Sequence, residues 1–144
     1  MANEKEIFLS IKRLNKRFES NFNSKLEEFN LTSRQGMALL FINRRVNVCH
    51  QIVHQNDVEK EFNLTKSTVS DLINRLEKKE LIKKVNKSPY VELYPTEKGI
   101  ELTRHFRNNW ELYLDKLLYG FSEEEKKELL DVLIKLNENI KEDK

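Results

Sequence analysis

Residues 55 to 82 read Q-N-D-V-E-K-E-F-N-L-T-K-S-T-V-S-D-L-I-N-R-L-E-K-K-E-L-I, and the order of residue types in this stretch decides the fold. Asp57 to Phe62 has the pattern of a short helix. Asn63-Leu64 follows as a tight turn, because Asn is the non-glycine residue most tolerant of a left-handed backbone. Thr65 then caps a further helix in which Val69, Leu72, Ile73 and Leu76 share one face. At about 100° per residue, Ser67, Ser70, Asp71, Asn74 and Lys78 fall on the opposite side. That stripe carries short hydrogen-bonding side chains and one cation. A short helix, a tight turn and a second helix that is apolar on one face and polar on the other make a helix-turn-helix.

Downstream, Ile82 to Val85 and Tyr90 to Tyr94 are β-prone runs joined by Asn86-Lys87-Ser88-Pro89, which predicts a hairpin. A hairpin in this position is a wing, and Lys83, Lys84, Asn86 and Lys87 sit where it would meet a nucleic-acid groove or backbone. Thr96 is expected to cap a helix from 97 to about 119, with Leu102, Phe106, Trp110, Tyr113, Leu114 and Leu117 as its stripe. Gly120 stands where a helix C-cap favours glycine, and Ser122-Glu123-Glu124-Glu125 is a capping box opening a last helix through Leu129, Val132, Leu133, Leu136 and Ile140. Upstream, Ile7, Ile11, Leu14, Phe18, Phe22, Leu26 and Phe29 recur every three or four positions, predicting one helix over 5 to 29. Thr32-Ser33-Arg34-Gln35 is a second capping box, starting a helix through Met37, Leu40 and Phe41. Residues 47 to 53 fit either a connector or a continued helix, since no Gly or Pro breaks them.

Composition agrees. In 144 residues, three Gly and two Pro make about 3.5%, against an average near 12%, which leaves too few turn residues for an all-β fold or a Gly-rich phosphate loop. Both prolines, Pro89 and Pro95, lie in the wing window. Leu, Ile, Val and Phe supply 45 residues, about 31%, well above the disordered range despite 35% charged residues. The length suits one domain. Net charge is only +2, but residues 65 to 87 carry seven basic and three acidic side chains, whereas 122 to 144 carry five and eight. A basic middle suits a polyanion partner. One cysteine, no signal-peptide pattern and no apolar run near the ~18 residues of a membrane span lead us to expect a cytoplasmic protein with no membrane partner.

Over nearly its whole length the chain resembles the multiple-antibiotic-resistance regulator (MarR) family of winged-helix transcription factors. The segments that carry the resemblance are L-T-S-R-Q-G-M-A-L-L (31 to 40), the stretch 55 to 82 quoted above, and L-Y-P-T-E-K-G (93 to 99), which matches the family's strand-to-helix junction. The resemblance implies a mainly α fold with a small β-hairpin wing. It implies dimerisation helices at 1–30 and 97–144 around a DNA-binding lobe at 31–96, together forming a single winged-helix domain. It further implies a recognition helix beginning at Thr65, base or phosphate contacts from Lys66, Ser67, Thr68, Ser70 and Asn74, and a phosphate contact from Arg75. Two positions depart from the pattern. Glu80 replaces a usual Gly, and because a left-handed non-glycine residue costs about 1 kcal/mol, the recognition helix is expected to end differently here. The wing tip lacks the common acidic-x-Arg motif, so Lys87 is expected to touch phosphate only. Asp71 either accepts from a cytosine amino group, penalises wrong sites, or points to solvent.

Other constellations are weaker. Cys49, His50, His54 and Asp57 lie within nine residues, and on a helix His50 and His54 would share a face as a metal pair requires, but a second Cys or His group is absent. A lone cysteine is most often a small buried hydrophobe; as a redox sensor, Cys49 has only Arg44 and Arg45 nearby in sequence to activate it. Phe106, Trp110 and Tyr113 suit core or dimer packing; the resemblance offers them instead, with Phe18 and Phe22, as the lining of a small-molecule effector pocket. No Walker loop, His-Glu-x-x-His or Gly-x-Ser-x-Gly element supports catalysis, and no cofactor is expected. The resulting expectation is a homodimeric repressor of a palindromic double-stranded operator. The alternative is a winged-helix protein-interaction module that sequesters another regulator without binding DNA.

Overall fold

A computed structural model describes residues 3–141. Helix α1 (Glu4–Glu27) is capped by Asn3, and α2 (Ser33–Asn43) opens on the expected box, with Thr32 Oγ1 accepting from Gln35 N and Gln35 Oε1 accepting from Thr32 N, both at 3.2 Å. The helix then widens into a π-helical turn, Arg44–Val48, and breaks at His50 (φ 53°), so residues 47 to 53 are partly continued helix and partly connector. A two-residue strand that sequence reasoning missed, β1 (Val53–His54), precedes α3 (Gln55–Phe62) and α4 (Lys66–Lys78). The hairpin forms as β2 (Ile82–Lys87) and β3 (Tyr90–Pro95), in register from Ile82↔Pro95 to Lys87↔Tyr90, leaving only Ser88-Pro89 as the turn. Strand β1 pairs with the other edge of β3, giving an antiparallel sheet in the order β1-β3-β2. Helices α5 (Glu97–Leu117) and α6 (Glu123–Asn139) follow, separated by Gly120, and α6 opens on the predicted Ser122/Glu125 box.

The chain divides into two compact units within α5, one ending at Phe106 and the other beginning at Arg107. The first holds the buried core. Leu39 and Ile42 of α2, Ile73 and Leu76 of α4, and Leu93 of β3 are fully buried there, together with Leu26 at the end of α1. Gly36 marks where α1 meets α2, since a Cβ at this position would stand 2.4 Å from Leu26 Cδ2. Gly99 similarly lets the start of α5 press on the turn before the wing, where a Cβ would fall 2.2 Å from the Leu81 carbonyl oxygen. In the second unit α6 buries none of its residues, and Trp110 stacks on Tyr113 with ring centroids 5.7 Å apart. No helix among the described residues is long and apolar enough to cross a membrane.

Candidate nucleic-acid interface

Helix α4 is placed by its own sequence at both ends. At the start, Asn63 takes the left-handed conformation (φ 51°, ψ 52°), so α3 stops and the chain reverses within two residues. Thr65 then caps α4: its hydroxyl accepts from Thr68 N at 3.3 Å and donates to Thr68 Oγ1 at 2.8 Å. At the other end the expectation of a differently built terminus is corrected, for Glu80 itself adopts φ 61°. Two hydrogen bonds hold it there, one local and one tertiary: Leu81 N donates to Leu76 O at 3.1 Å, closing the helix end, and the Thr96 hydroxyl donates to Glu80 O at 2.6 Å from across the fold. Thr96 Oγ1 also accepts from Gly99 N at 3.1 Å, so one side chain closes α4 and opens α5.

Between these caps Val69, Leu72, Ile73 and Leu76 are buried, while Lys66, Ser67, Asp71, Asn74, Arg75 and Lys78 are exposed and Thr68 and Ser70 half-buried. The polar stripe therefore faces outward as one continuous surface of donors and acceptors. Two of its members hold each other, Arg75 Nε donating to Asp71 Oδ2 at 2.9 Å. This answers the ambiguity at Asp71: in the free protein its carboxylate restrains the arginine one turn along the same helix.

The wing lysines differ from one another. Lys83 is exposed, and among the described residues Lys66, Lys78 and Lys83 pair with no carboxylate. Lys84 instead turns onto α4, where its Nζ donates to Asn74 Oδ1 at 2.6 Å and lies 3.6 Å from Glu77 Oε1. Lys87, expected to reach outward, stands 3.6 Å from Glu92 Oε1, a carboxylate whose side chain is 7% exposed. Glu92 also accepts from the Tyr94 hydroxyl at 2.9 Å, and that hydrogen bond, followed by burial and the nearby negative charge, raises the phenol above its ordinary value. Asn86 is exposed beside the tip. Neither Glu77 nor Glu92 was singled out by the sequence, because a Glu in a helix or strand carries no local sign of what crosses to it from the neighbouring element.

The remaining candidates separate. Phe106 belongs to the core of the first unit, edge-on to Phe29 at 5.1 Å, with Phe22 packed against that core and Phe18 half-buried. Trp110 and Tyr113 lie in the second unit. A cavity of about 490 Å³ in the first unit is lined by other residues, including Phe29, Lys79, Lys98, Leu102 and His105. These come from distant parts of the sequence, so no motif announced them. The helical pairing of His50 and His54 is corrected: His50 is left-handed and His54 is in β1. Among the described residues no group of three or more His, Cys, Asp or Glu is placed to hold a metal. Cys49 is exposed rather than a small core residue, because the π-helical turn carries it outside the packed helices.

Residues 29–89 match the MarR family's sequence profile. No curated protein matches the chain. Among solved structures, MepR, a transcription regulator of the Staphylococcus aureus multidrug efflux pump MepA, is 25% identical with a TM-score of 0.77, covering 97% of this chain and 100% of its own. The S. aureus MepR–DNA complex is 25% identical with a TM-score of 0.75, covering 96% and 97%. The transcriptional regulator SlyA shares the fold at 22% identity, with a TM-score of 0.73 over 94% of each chain. The profile match spans the helix-turn-helix and most of the wing, and the fold matches run from the first helix to the last, so the chain is similar to the MarR family in its helix-turn-helix lobe and has the fold of the winged-helix regulators MepR and SlyA.

Proposed function

We propose that the chain is a DNA-binding transcriptional regulator that acts as a homodimeric repressor, with α4 laid in the major groove and the β2–β3 wing beside it. The observation that carries this reading is the division of α4 into a fully buried apolar face and an exposed face of hydroxyls, amides and cations. Short polar side chains on such a face can reach base edges, and cations at its borders can neutralise phosphates. The proposed contacts are Thr65, Lys66, Ser67, Thr68, Ser70, Asn74 and Arg75 on the helix, with Lys83, Lys84, Asn86 and Lys87 on the wing. MepR, similar over its whole length, has been solved with DNA, which supports the same use of the fold here. In the proposed dimer a two-fold axis sets two recognition helices on half-sites about one helical turn, 10 base pairs, apart. The proposed signal is a small molecule that alters their separation.

A gel-shift titration on the DNA upstream of the chain's own gene tests the reading. Affinity should exceed that for random DNA, and its logarithm should fall linearly with log salt at a slope of about −0.9 for each phosphate contacted. A flat salt response, or no preference over random DNA, overturns it.

A further inference from the structure

We infer that Lys84 of the wing is a positioning residue that fixes which way the Asn74 amide faces, and that it thereby makes this point of α4 select guanine. The inference rests on the DNA-binding reading above. An isolated asparagine on a recognition helix can turn its amide over and offer either an acceptor or a donor at the same place. Asn74 is not isolated. Lys84 Nζ lies 2.6 Å from its Oδ1, and an ammonium has three donors and no acceptor, so only the amide oxygen can face it.

The ammonium is itself anchored. Glu77, one turn along α4, accepts from the Lys84 backbone N–H at 3.2 Å and stands 3.6 Å from Lys84 Nζ. One carboxylate thus holds both the main chain and the side chain of the same wing residue. The Lys84 side chain is 30% exposed, so its stem is largely covered and its head is directed along the helix surface rather than out to phosphate. Strand β2 and the outer face of α4 are in this way locked in one mutual setting.

With its oxygen turned to the ammonium, Asn74 directs its two Nδ2 hydrogens outward, and beside them stands an ammonium with a hydrogen to spare. The pair is a donor surface. Guanine is the base whose major-groove edge presents two acceptors, O6 and N7. Adenine and cytosine each present an amino group that needs an acceptor, and the bidentate pairing of asparagine with adenine requires the amide oxygen. Lys84 therefore selects against the base that an unrestrained asparagine would take.

The test is binding-site selection from randomised duplexes followed by gel shifts, using the full chain and the variants Asn74→Ala, Lys84→Met, Lys84→Gln and Lys84→Arg. Asn74→Ala identifies the base pair concerned as the one where preference flattens. There the unaltered chain should prefer guanine over adenine by roughly tenfold or more. Lys84→Met should shift the preference toward adenine, and Lys84→Arg, which is also donor-only, should keep guanine. Lys84→Gln, with one amide in place of the ammonium, should relax the preference and serves if the methionine variant does not fold. A lysine that only touched phosphate or braced the wing would weaken all sites alike and leave base order unchanged, and that result overturns the proposal. So does a preference of the unaltered chain for adenine or cytosine at this pair. If Asn74→Ala changes neither affinity nor any base preference, the reading of α4 as the recognition helix falls, and this inference with it.

Discussion

At Glu80 the chain turns from α4 into β2 with φ 61°, a conformation that costs an L-residue roughly 1–2 kcal/mol and that glycine takes freely. The turn persists because the Leu81 N–H and the Thr96 hydroxyl are both committed to it. Glu80→Gly should therefore stabilise the fold, by about 0.5–1 kcal/mol once the greater freedom of glycine in the unfolded chain is set against the relieved strain. The check is a urea titration in which the midpoint rises and the slope is unchanged. An unchanged or lower midpoint would mean that the glutamate side chain contributes something the hydrogen bonds do not reveal. Asn63 and Glu80 both take a positive φ, 51° and 61°, yet only the first could be read from sequence. Asparagine advertises a left-handed turn by its own chemistry, whereas at Glu80 the distinguishing partner, the Thr96 hydroxyl, lies sixteen residues away.

The same contrast holds for whole elements. Helices α2 and α6 and their starts were legible because a capping box is complete within four residues. Strand β1 was not, since two residues are too short for any period, and it exists only through the pairings Val53↔Leu93 and His54↔Glu92. On α4 the buried and exposed faces were legible from spacing alone, but the Asp71–Arg75 pair and the Lys84 crossing were not. The first of these leads to a prediction. Both side chains of the pair are about two-thirds exposed (66% and 65%), so Asp71→Ala should change stability by no more than about 0.5 kcal/mol. Its effect on DNA should be larger. Removing a carboxylate from the outer face and releasing Arg75 should tighten binding to all sequences and steepen the salt slope by about one unit. Gel shifts at several salt concentrations would show this, and weaker binding confined to one base pair would mean instead that Asp71 accepts from a base.

On the scale of the whole molecule, a good deal of apolar surface lies outside the core. Ile7, Phe8, Ile11 and Leu14 of α1 are 44–60% exposed, and along α6 Leu129, Val132, Leu133 and Leu136 are 37–54% exposed at steps of three and four. Helical apolar stripes of this length are costly in water and on soluble proteins mark association surfaces. A second copy of the chain is the occupant that the two-fold operator reading calls for, and α6, none of whose residues is buried within the chain, is the helix that would gain most from one. The chain should therefore sediment at about 35 kDa, twice its 17.3 kDa mass. The double variant Leu129→Glu, Leu133→Glu should bring it down to the monomer mass. It should also reduce operator affinity far more than affinity for a single half-site, because two linked recognition helices gain from the second binding event being intramolecular. A monomer in the unaltered chain, or a charged α6 that still dimerises and still binds the full operator, would place the association surface elsewhere. Loss of the dimer with full operator affinity retained would instead show that one recognition helix and one wing suffice.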